Sequence, residues 1–137
     1  MVDDDPDDRM ILEQAFTELR PGFGLLQLRD GKELMDYLTT TNAEELAELI
    51  VLDLNMPKMG GKEVLMELKS DHRFKQIPVI VYTTSTNPVE KKEVLAMGAN
   101  GFITKPYQYT SILQFISAIT SLFCQDRSPA AVQSFQT

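Results

Sequence analysis

The chain has 137 residues, a formal net charge of −7, one cysteine and one histidine. Hydrophobic residues make up 43% and charged residues 24%, which predicts one globular domain with a full core. The acidic balance excludes nucleic acid or an anionic membrane as the main partner, because both require a basic face. The single cysteine excludes an internal disulfide, and the absence of a signal peptide or a long apolar run predicts a cytoplasmic protein.

The first half of the chain predicts alternating strands and helices. Val2 is the end of a strand that leads into the acidic run Asp3–Asp8. Asp5 before Pro6 is typical of a helix start, because aspartate caps a helix and proline is tolerated at the first helical position. The elements predicted here are a helix from about 6 to 19, a strand over 23–28, a helix starting after Asp30-Gly31 and a partial turn over 43–46.

The second half continues the alternation with two strongly apolar strands. Leu49–Leu52 is a run of apolar residues that ends at Asp53, and Pro78–Thr83 repeats the pattern. Such runs are typical of strands that are buried on both faces. Gly60-Gly61 predicts a tight loop, after which a helix runs up to Ser70. The other predicted elements are helices from Pro88 to Gly98 and around 112–123, and a strand over 101–104; residues 125–137 are expected to be a loose tail after a domain of residues 1–124.

Five strands alternating with five helices predict an α/β fold, a doubly wound parallel sheet with helices on both faces. In such sheets ligands bind in the crevice beyond the carboxyl ends of the strands. The sequence places polar residues at four of these ends: Asp3 and Asp4, Asp53, Thr83, and Lys105.

This set of side chains favours magnesium-assisted phosphoryl chemistry. Neighbouring carboxylates repel one another unless a cation joins them, and Mg²⁺ is commonly held by one or two carboxylates and a phosphate oxygen. Lys105 and Thr83 can donate hydrogen bonds to the same phosphoryl group. Asp53 can attack phosphorus as a carboxylate, so no histidine base is required.

Each residue taken alone also has a simpler explanation. The run Asp3–Asp8 suits a capped helix start, Thr83 suits the end of a strand, and Lys105 suits a surface charge. Asp53 is harder to explain in this way, because an unpaired charge next to a buried strand is costly. The combination at four strand ends therefore favours a functional site.

The polar residues at the strand ends lie in four motifs: Val2-Asp3-Asp4, Leu52-Asp53-Leu54-Asn55-Met56-Pro57, Val81-Tyr82-Thr83 and Gly101-Phe102-Ile103-Thr104-Lys105-Pro106. Together these motifs resemble the receiver domains of two-component response regulators, over nearly the whole chain. The resemblance implies a flavodoxin-like (βα)5 fold with strand order 2-1-3-4-5. The amino-acid sequence around Asn55 and Thr83 is most similar to that of stand-alone receivers found with phytochrome-type and hybrid kinases.

The resemblance also implies roles for individual residues. Asp53 is the expected phosphoacceptor, phosphorylated by a histidine kinase or a phosphotransfer protein, and Thr83 and Lys105 would bind the phosphoryl oxygens. The expected Mg²⁺ ligands are Asp4, Asp53 and the backbone carbonyl of Asn55, with Asp3 acting mainly through water.

Four further positions bear on signalling. Phe102 occupies the place of a switch aromatic that turns inward when Thr83 moves, although it is also explained as a core residue. The surface expected to change comprises the fourth helix, fifth strand and fifth helix. The residues expected to influence the lifetime of the phosphoryl group are Asn55, Thr84 and Ser85.

Two alternative functions stay open at this point. One is a Mg²⁺-dependent phosphohydrolase, although such enzymes carry a second acid where this chain has Asn55. The other is a receiver-like binding module that takes no phosphate. Only a tail is expected after the last helix, so we expect output through a downstream protein target, with a homodimer as an alternative mode of association.

Overall fold

The computed structural model describes residues 1–124, and the predicted tail over 125–137 lies outside that range. No helix in this part of the chain is long and apolar enough to cross a membrane. The described residues form helices packed on both faces of a parallel sheet. The helices are α1 (Pro6–Leu19), α2 (Gly31–Thr40), α3 (Gly61–Ser70), α4 (Pro88–Ala96) and α5 (Tyr109–Phe123); the strands are β1 (Ile50–Leu52), β2 (Val79–Thr83) and β3 (Gly101–Thr104), and a 3-10 turn covers Ala43–Glu45.

Two single-residue bridges extend the sheet beyond β1. Val2 pairs in parallel with Leu52 on one side and with Leu28 on the other. The sheet therefore runs from the segment of Leu28 through Val2 to β1, β2 and β3, with β1 and β2 in its interior. With the segments of Val2 and Leu28 counted as first and second, this is the expected order 2-1-3-4-5. The predicted fold class is confirmed, but of the five predicted strands the described residues form three, and Val2 and Leu28 contribute only bridges.

The predicted strand over 23–28 is reduced to its last residue. Its partner segment in the structure is that of Val2. Leu28 N–H donates to the Met1 carbonyl at 2.9 Å, and Asp3 N–H donates to the Leu28 carbonyl at 3.0 Å. The apolar pattern identified the segment correctly, but these bonds form a bridge around Leu28 and not a strand over 23–28.

The core has two parts, one on each face of the sheet. On one face, Leu65 of α3 and Val94 of α4 pack with Val81 of β2. On the other face, Ile116 of α5 packs with Ile80 of β2. Every residue of β1 and β2 is buried, which explains why these strands read as continuous apolar runs.

The start of α1 is fixed by a side-chain cap. The Asp5 carboxylate accepts hydrogen bonds from the N–H groups of Asp7 at 2.9 Å and Asp8 at 3.4 Å. The helix begins at Pro6, as predicted. This cap places the first turn of α1 immediately after the Val2 bridge, and therefore beside the carboxyl edge of the sheet.

The start of α3 packs directly on the backbone that follows β1. A Cβ at Gly61 would lie 2.4 Å from the Asp53 carbonyl oxygen and 2.6 Å from the Leu54 Cα. Gly61 N–H also donates to the Leu54 carbonyl at 3.0 Å. Only glycine allows this approach, so the start of α3 is in direct contact with the backbone of Asp53 and helps to fix its position.

Candidate functional site

Backbone hydrogen bonds place Asp3 and Asp53 next to each other at the carboxyl edge of the sheet. Val2 N–H donates to the Val51 carbonyl at 2.8 Å, and Asp53 N–H donates to the Val2 carbonyl at 3.0 Å. Asp3 is 0% exposed and Asp53 is 5% exposed. Two buried carboxyl groups therefore meet where the sequence predicted that acids would converge.

Lys105 is the cation that faces these acids. It follows β3, and its side chain is 11% exposed. Its Nζ lies 2.7 Å from Asp3 Oδ2 and 3.8 Å from Asp53 Oδ2. It also donates a hydrogen bond of 2.6 Å to Asp8 Oδ2. Three acids thus surround one ammonium group.

The charge of Lys105 is maintained by these neighbours. Burial by itself would lower the pKa of the ammonium group, but the contacts with Asp3 and Asp8 and the charge of Asp53 outweigh burial and raise the pKa above its ordinary value. Lys105 is therefore cationic over the whole physiological range of pH.

The surroundings of Asp53 favour its neutral, protonated form. Burial and the nearby charge of Asp3 raise the pKa of Asp53 to about 7, although Lys105 and the N–H of Asn55 act against the change. That N–H lies 3.4 Å from Asp53 Oδ1. Without a further cation, a large fraction of Asp53 is protonated at neutral pH, so any group that adds positive charge here favours the carboxylate.

The acidic side chains fit a divalent cation. Asp3, Asp4 and Asp53 each offer a carboxylate oxygen, and these oxygens lie within 4.8 Å of one another. Asp3 Oδ2 is buried and has no hydrogen-bond partner, since its contact with Lys105 is an ion pair without hydrogen-bond geometry. Asp4 is exposed and gives the site an open side. Carboxylate oxygens with room for water suit a hard divalent ion.

Thr83 lies at the same edge, at the buried end of β2. Its Oγ1 accepts a hydrogen bond from the N–H of Ser85 at 3.3 Å, while Thr84 is exposed. Two bonds link this loop to the end of β3. Lys105 N–H donates to the Thr83 carbonyl at 2.7 Å, and Thr104 Oγ1 donates to the Ser85 carbonyl at 2.8 Å.

Phe102 lies in β3 opposite Val81 of β2. It is partly buried and packs against the core cluster that contains Val94 of α4. Its neighbour Ile103 is 38% exposed, so β3 is less buried than a simple alternation predicts. Phe102 is therefore only partly a core residue. Its role as a switch stays a prediction.

The contact of Asp8 with Lys105 was not predicted from the sequence. Asp8 was interpreted only as an acid in the first turn of a helix, and the two residues are 97 positions apart in the chain. The available signal was the position of the helix start, because a helix that begins directly after a strand places its first turn at the carboxyl edge.

A parallel doubly wound sheet with buried acids, one lysine and one threonine at its carboxyl edge defines a phosphoacceptor signalling domain. Comparison with known proteins agrees, because residues 1–117 match the response regulator receiver domain family. The chain belongs to this family. Receiver domains accept phosphoryl groups from histidine kinases and are not enzymes in the usual sense, so the predicted class of function is confirmed.

Several members of the family are similar over most of their length. The probable methanogenesis regulatory protein FilR2 of Methanothrix harundinacea is 31% identical over 94% of this chain and 85% of its own length. The phosphorylated cyanobacterial phytochrome response regulator RcpA superimposes with a TM-score of 0.79, with 34% identity and 89% of each chain covered. The Mn²⁺-bound response regulator Rcp1 of Synechocystis gives a TM-score of 0.75, with 31% identity and 88% of each chain covered. The metal in Rcp1 supports a divalent cation site in this family.

Proposed function

We propose that Asp53 accepts a phosphoryl group in a two-component phosphorelay and that Mg²⁺ is the cation required. The observation that carries the proposal is the position of Asp53. Its carboxylate is buried, shares the carboxyl edge with Asp3, and lies 3.8 Å from the ammonium group of Lys105. A nucleophile, a fixed positive charge and cation ligands thus occupy one small site.

The transfer step is a direct displacement at phosphorus. An Asp53 carboxylate oxygen forms a bond to phosphorus while the bond to the donor nitrogen or oxygen breaks, and its electron pair leaves with the donor. Asp53 attacks as the carboxylate, so no residue has to remove a proton. Lys105 and the hydroxyl of Thr83 donate to the equatorial oxygens, where charge accumulates.

The metal ligands are proposed to be Asp4, Asp53 and the backbone carbonyl of Asn55, with Asp3 acting through water. When bound, Mg²⁺ neutralises charge on the phosphoryl oxygens and favours the ionised form of Asp53. Burial and, after it, the charge of Asp3 raise the pKa of Asp53 when no metal is bound, so a bound cation would favour the carboxylate.

The signal is proposed to leave through the surface of α4, β3 and α5. Thr83 would move toward the phosphoryl group and Phe102 would turn inward behind it. Tyr82, next to Thr83, stacks on Phe115 of α5 with ring centroids 4.8 Å apart, so this part of β2 already contacts α5. Asn55, Thr84 and Ser85 border the site and are proposed to set the lifetime of the aspartyl phosphate.

The proposed partners are a cytoplasmic sensor histidine kinase or phosphotransfer protein and a downstream protein target, with self-association as an additional mode. Similarity to RcpA points to a phytochrome-type kinase as the first one to test. The proposed domain covers residues 1–124, followed by a tail over 125–137.

Phosphorylation with a small donor tests the proposal directly. The full chain is incubated with phosphoramidate and Mg²⁺ and followed by intact-protein mass spectrometry. We expect one added phosphoryl group in the wild type and none in Asp53→Asn. Asp36→Asn removes one exposed acid from α2 and should be phosphorylated like the wild type.

Two results would contradict the proposal. Equal labelling of Asp53→Asn would place the phosphoryl group elsewhere, and partner binding that ignores both Mg²⁺ and the donor would indicate a module without phosphorylation. Multiple turnover of phosphate esters above about 1 per second, a rate typical of enzymes, would indicate a phosphohydrolase instead.

A further inference from the structure

Lys105 has three N–H donors and contacts three acids. Its Nζ donates a hydrogen bond to Asp8 Oδ2 at 2.6 Å and forms an ion pair with Asp3 Oδ2 at 2.7 Å. Asp53 Oδ2 lies farther away, at 3.8 Å. The ammonium group is thus held closely by Asp3 and Asp8, with the Asp53 carboxylate next to it.

Asp8 contributes to this arrangement from a different element than the other two acids. Asp3 and Asp53 lie at strand ends, whereas Asp8 lies in the first turn of α1, where the Asp5 cap fixes its backbone. Its side chain is 31% exposed, so it is not one of the buried acids at the centre of the site. It approaches Lys105 from the solvent side.

We infer that Asp8 is a positioning residue for the phosphotransfer reaction, because it holds the Lys105 ammonium group so that one N–H donor faces the phosphoryl group on Asp53. The inference rests on the proposed function of Asp53. A lysine side chain has several rotatable bonds, and a single contact with Asp3 would leave the ammonium group free to turn or to reach toward Asp3 alone. Two contacts on separate elements remove that freedom.

The position of Asp8 predicts a distinct set of effects. Asp8→Ala removes both the charge and the hydrogen-bond acceptor, whereas Asp8→Asn keeps an acceptor and removes the charge. We expect phosphorylation by phosphoramidate to slow about three- to tenfold in Asp8→Ala, which is the range for losing one charge-assisted contact that is partly exposed. Asp8→Asn should fall between Asp8→Ala and the wild type.

Asp7 offers a matched control. It is the preceding residue in the same helical turn, it is exposed, and it is not among the acids within 4.0 Å of Lys105 in the described chain. Asp7→Ala and Asp7→Asn therefore change the net charge and the helix start in the same way without touching Lys105. Far-UV circular dichroism and thermal melts of all four variants check that α1 still forms.

A spectroscopic measurement separates positioning from a structural effect. The ammonium protons of Lys105 are observed by ¹H–¹⁵N NMR of the full chain, and the signal is assigned by its loss in Lys105→Met. We expect exchange of these protons with water to become faster in Asp8→Ala and to stay unchanged in Asp7→Ala.

Slower phosphorylation together with faster exchange, in the Asp8 variants only, would support the inference. It is overturned if the Asp8 and Asp7 variants react at the same rate, or if the rate falls while Lys105 exchange is unchanged. If the wild type accepts no phosphoryl group, the proposed function fails instead, and faster exchange in Asp8→Ala would then show that Asp8 holds Lys105 without a role in transfer.

Discussion

Replacing Asp53 with asparagine should stabilise the metal-free protein at neutral pH. Burial and the charge of Asp3 raise the pKa of Asp53 to about 7 from 3.8. The folded state therefore holds this proton more tightly than the unfolded chain does. The resulting stabilisation is complete below about pH 4 and is lost as the pH rises through 7.

The pKa difference sets the size of the effect. Each pKa unit corresponds to 1.36 kcal/mol, so ionising Asp53 in the folded state costs about 4 kcal/mol at most. Side chains around the site can relax in response, and we expect a measured gain of about 2–4 kcal/mol for Asp53→Asn above pH 7. The uncharged amide avoids the cost and retains an oxygen that can accept the N–H of Asn55.

Urea unfolding in the presence of a chelator measures this gain. With a slope of about 1–3 kcal/mol per molar for a domain of this size, the midpoint of Asp53→Asn should lie at least about 0.7 M above that of the wild type at pH 7.5. The difference should shrink toward pH 5. Added Mg²⁺ should stabilise the wild type more than the variant, because a ligand stabilises the state that binds it.

Asp36→Asn serves as the control, since it removes an equal charge from an exposed position on α2. The reasoning would be refuted if Asp53→Asn were no more stable than the wild type at pH 7.5 without metal. A gain that did not change between pH 5 and 7.5 would refute it as well, because the effect would then have no connection to ionisation of Asp53.

Three further changes test the supports of the site. Gly61→Ala should lower the free energy of unfolding in a urea titration by about 1–3 kcal/mol, because its Cβ would lie 2.4 Å from the Asp53 carbonyl oxygen. The control Gly60→Ala has its nearest contact at 3.8 Å and should be neutral or slightly stabilising in the same titration. Lys105→Met should lower the free energy of unfolding by about 2–4 kcal/mol at pH 7.5 and slow phosphorylation, because it removes the cation from a group of buried acids. An unchanged urea midpoint would contradict the ion-pair assignment. Asp5→Ala should cost about 1 kcal/mol by removing the cap of α1, and a thermal melt should show a lower midpoint temperature.

Much of the fold could be predicted because local patterns determine it. The apolar runs of β1 and β2 identify interior strands, and the Asp5-Pro6 pair marks the first residue of α1. The strand predicted over 23–28 shows the limit of such patterns. Its side chains suit a strand, but whether its backbone groups pair depends on how closely it follows the segment of Val2, and that path is set by tertiary packing rather than by a local pattern.

The site was predictable to the same degree. A parallel sheet brings its strand ends together, so the convergence of Asp3, Asp53 and Lys105 follows from the order of elements. The contact of Lys105 with Asp8 does not, because it depends on the angle at which α1 leaves the sheet and on the path of a long side chain. Neither is encoded in a local motif.

The hydrogen bonds between the ends of β2 and β3 have a consequence for how information moves through the protein. Lys105 N–H is bonded to the Thr83 carbonyl, and Thr104 is bonded to the Ser85 carbonyl. Thr83 and Lys105, the two residues proposed to bind the phosphoryl oxygens, are therefore joined through their backbones, and we expect them to move together. Substitutions at Thr104 remove the second bond, so they should weaken the coupling between the ends of β2 and β3 without changing the chemistry of Asp53.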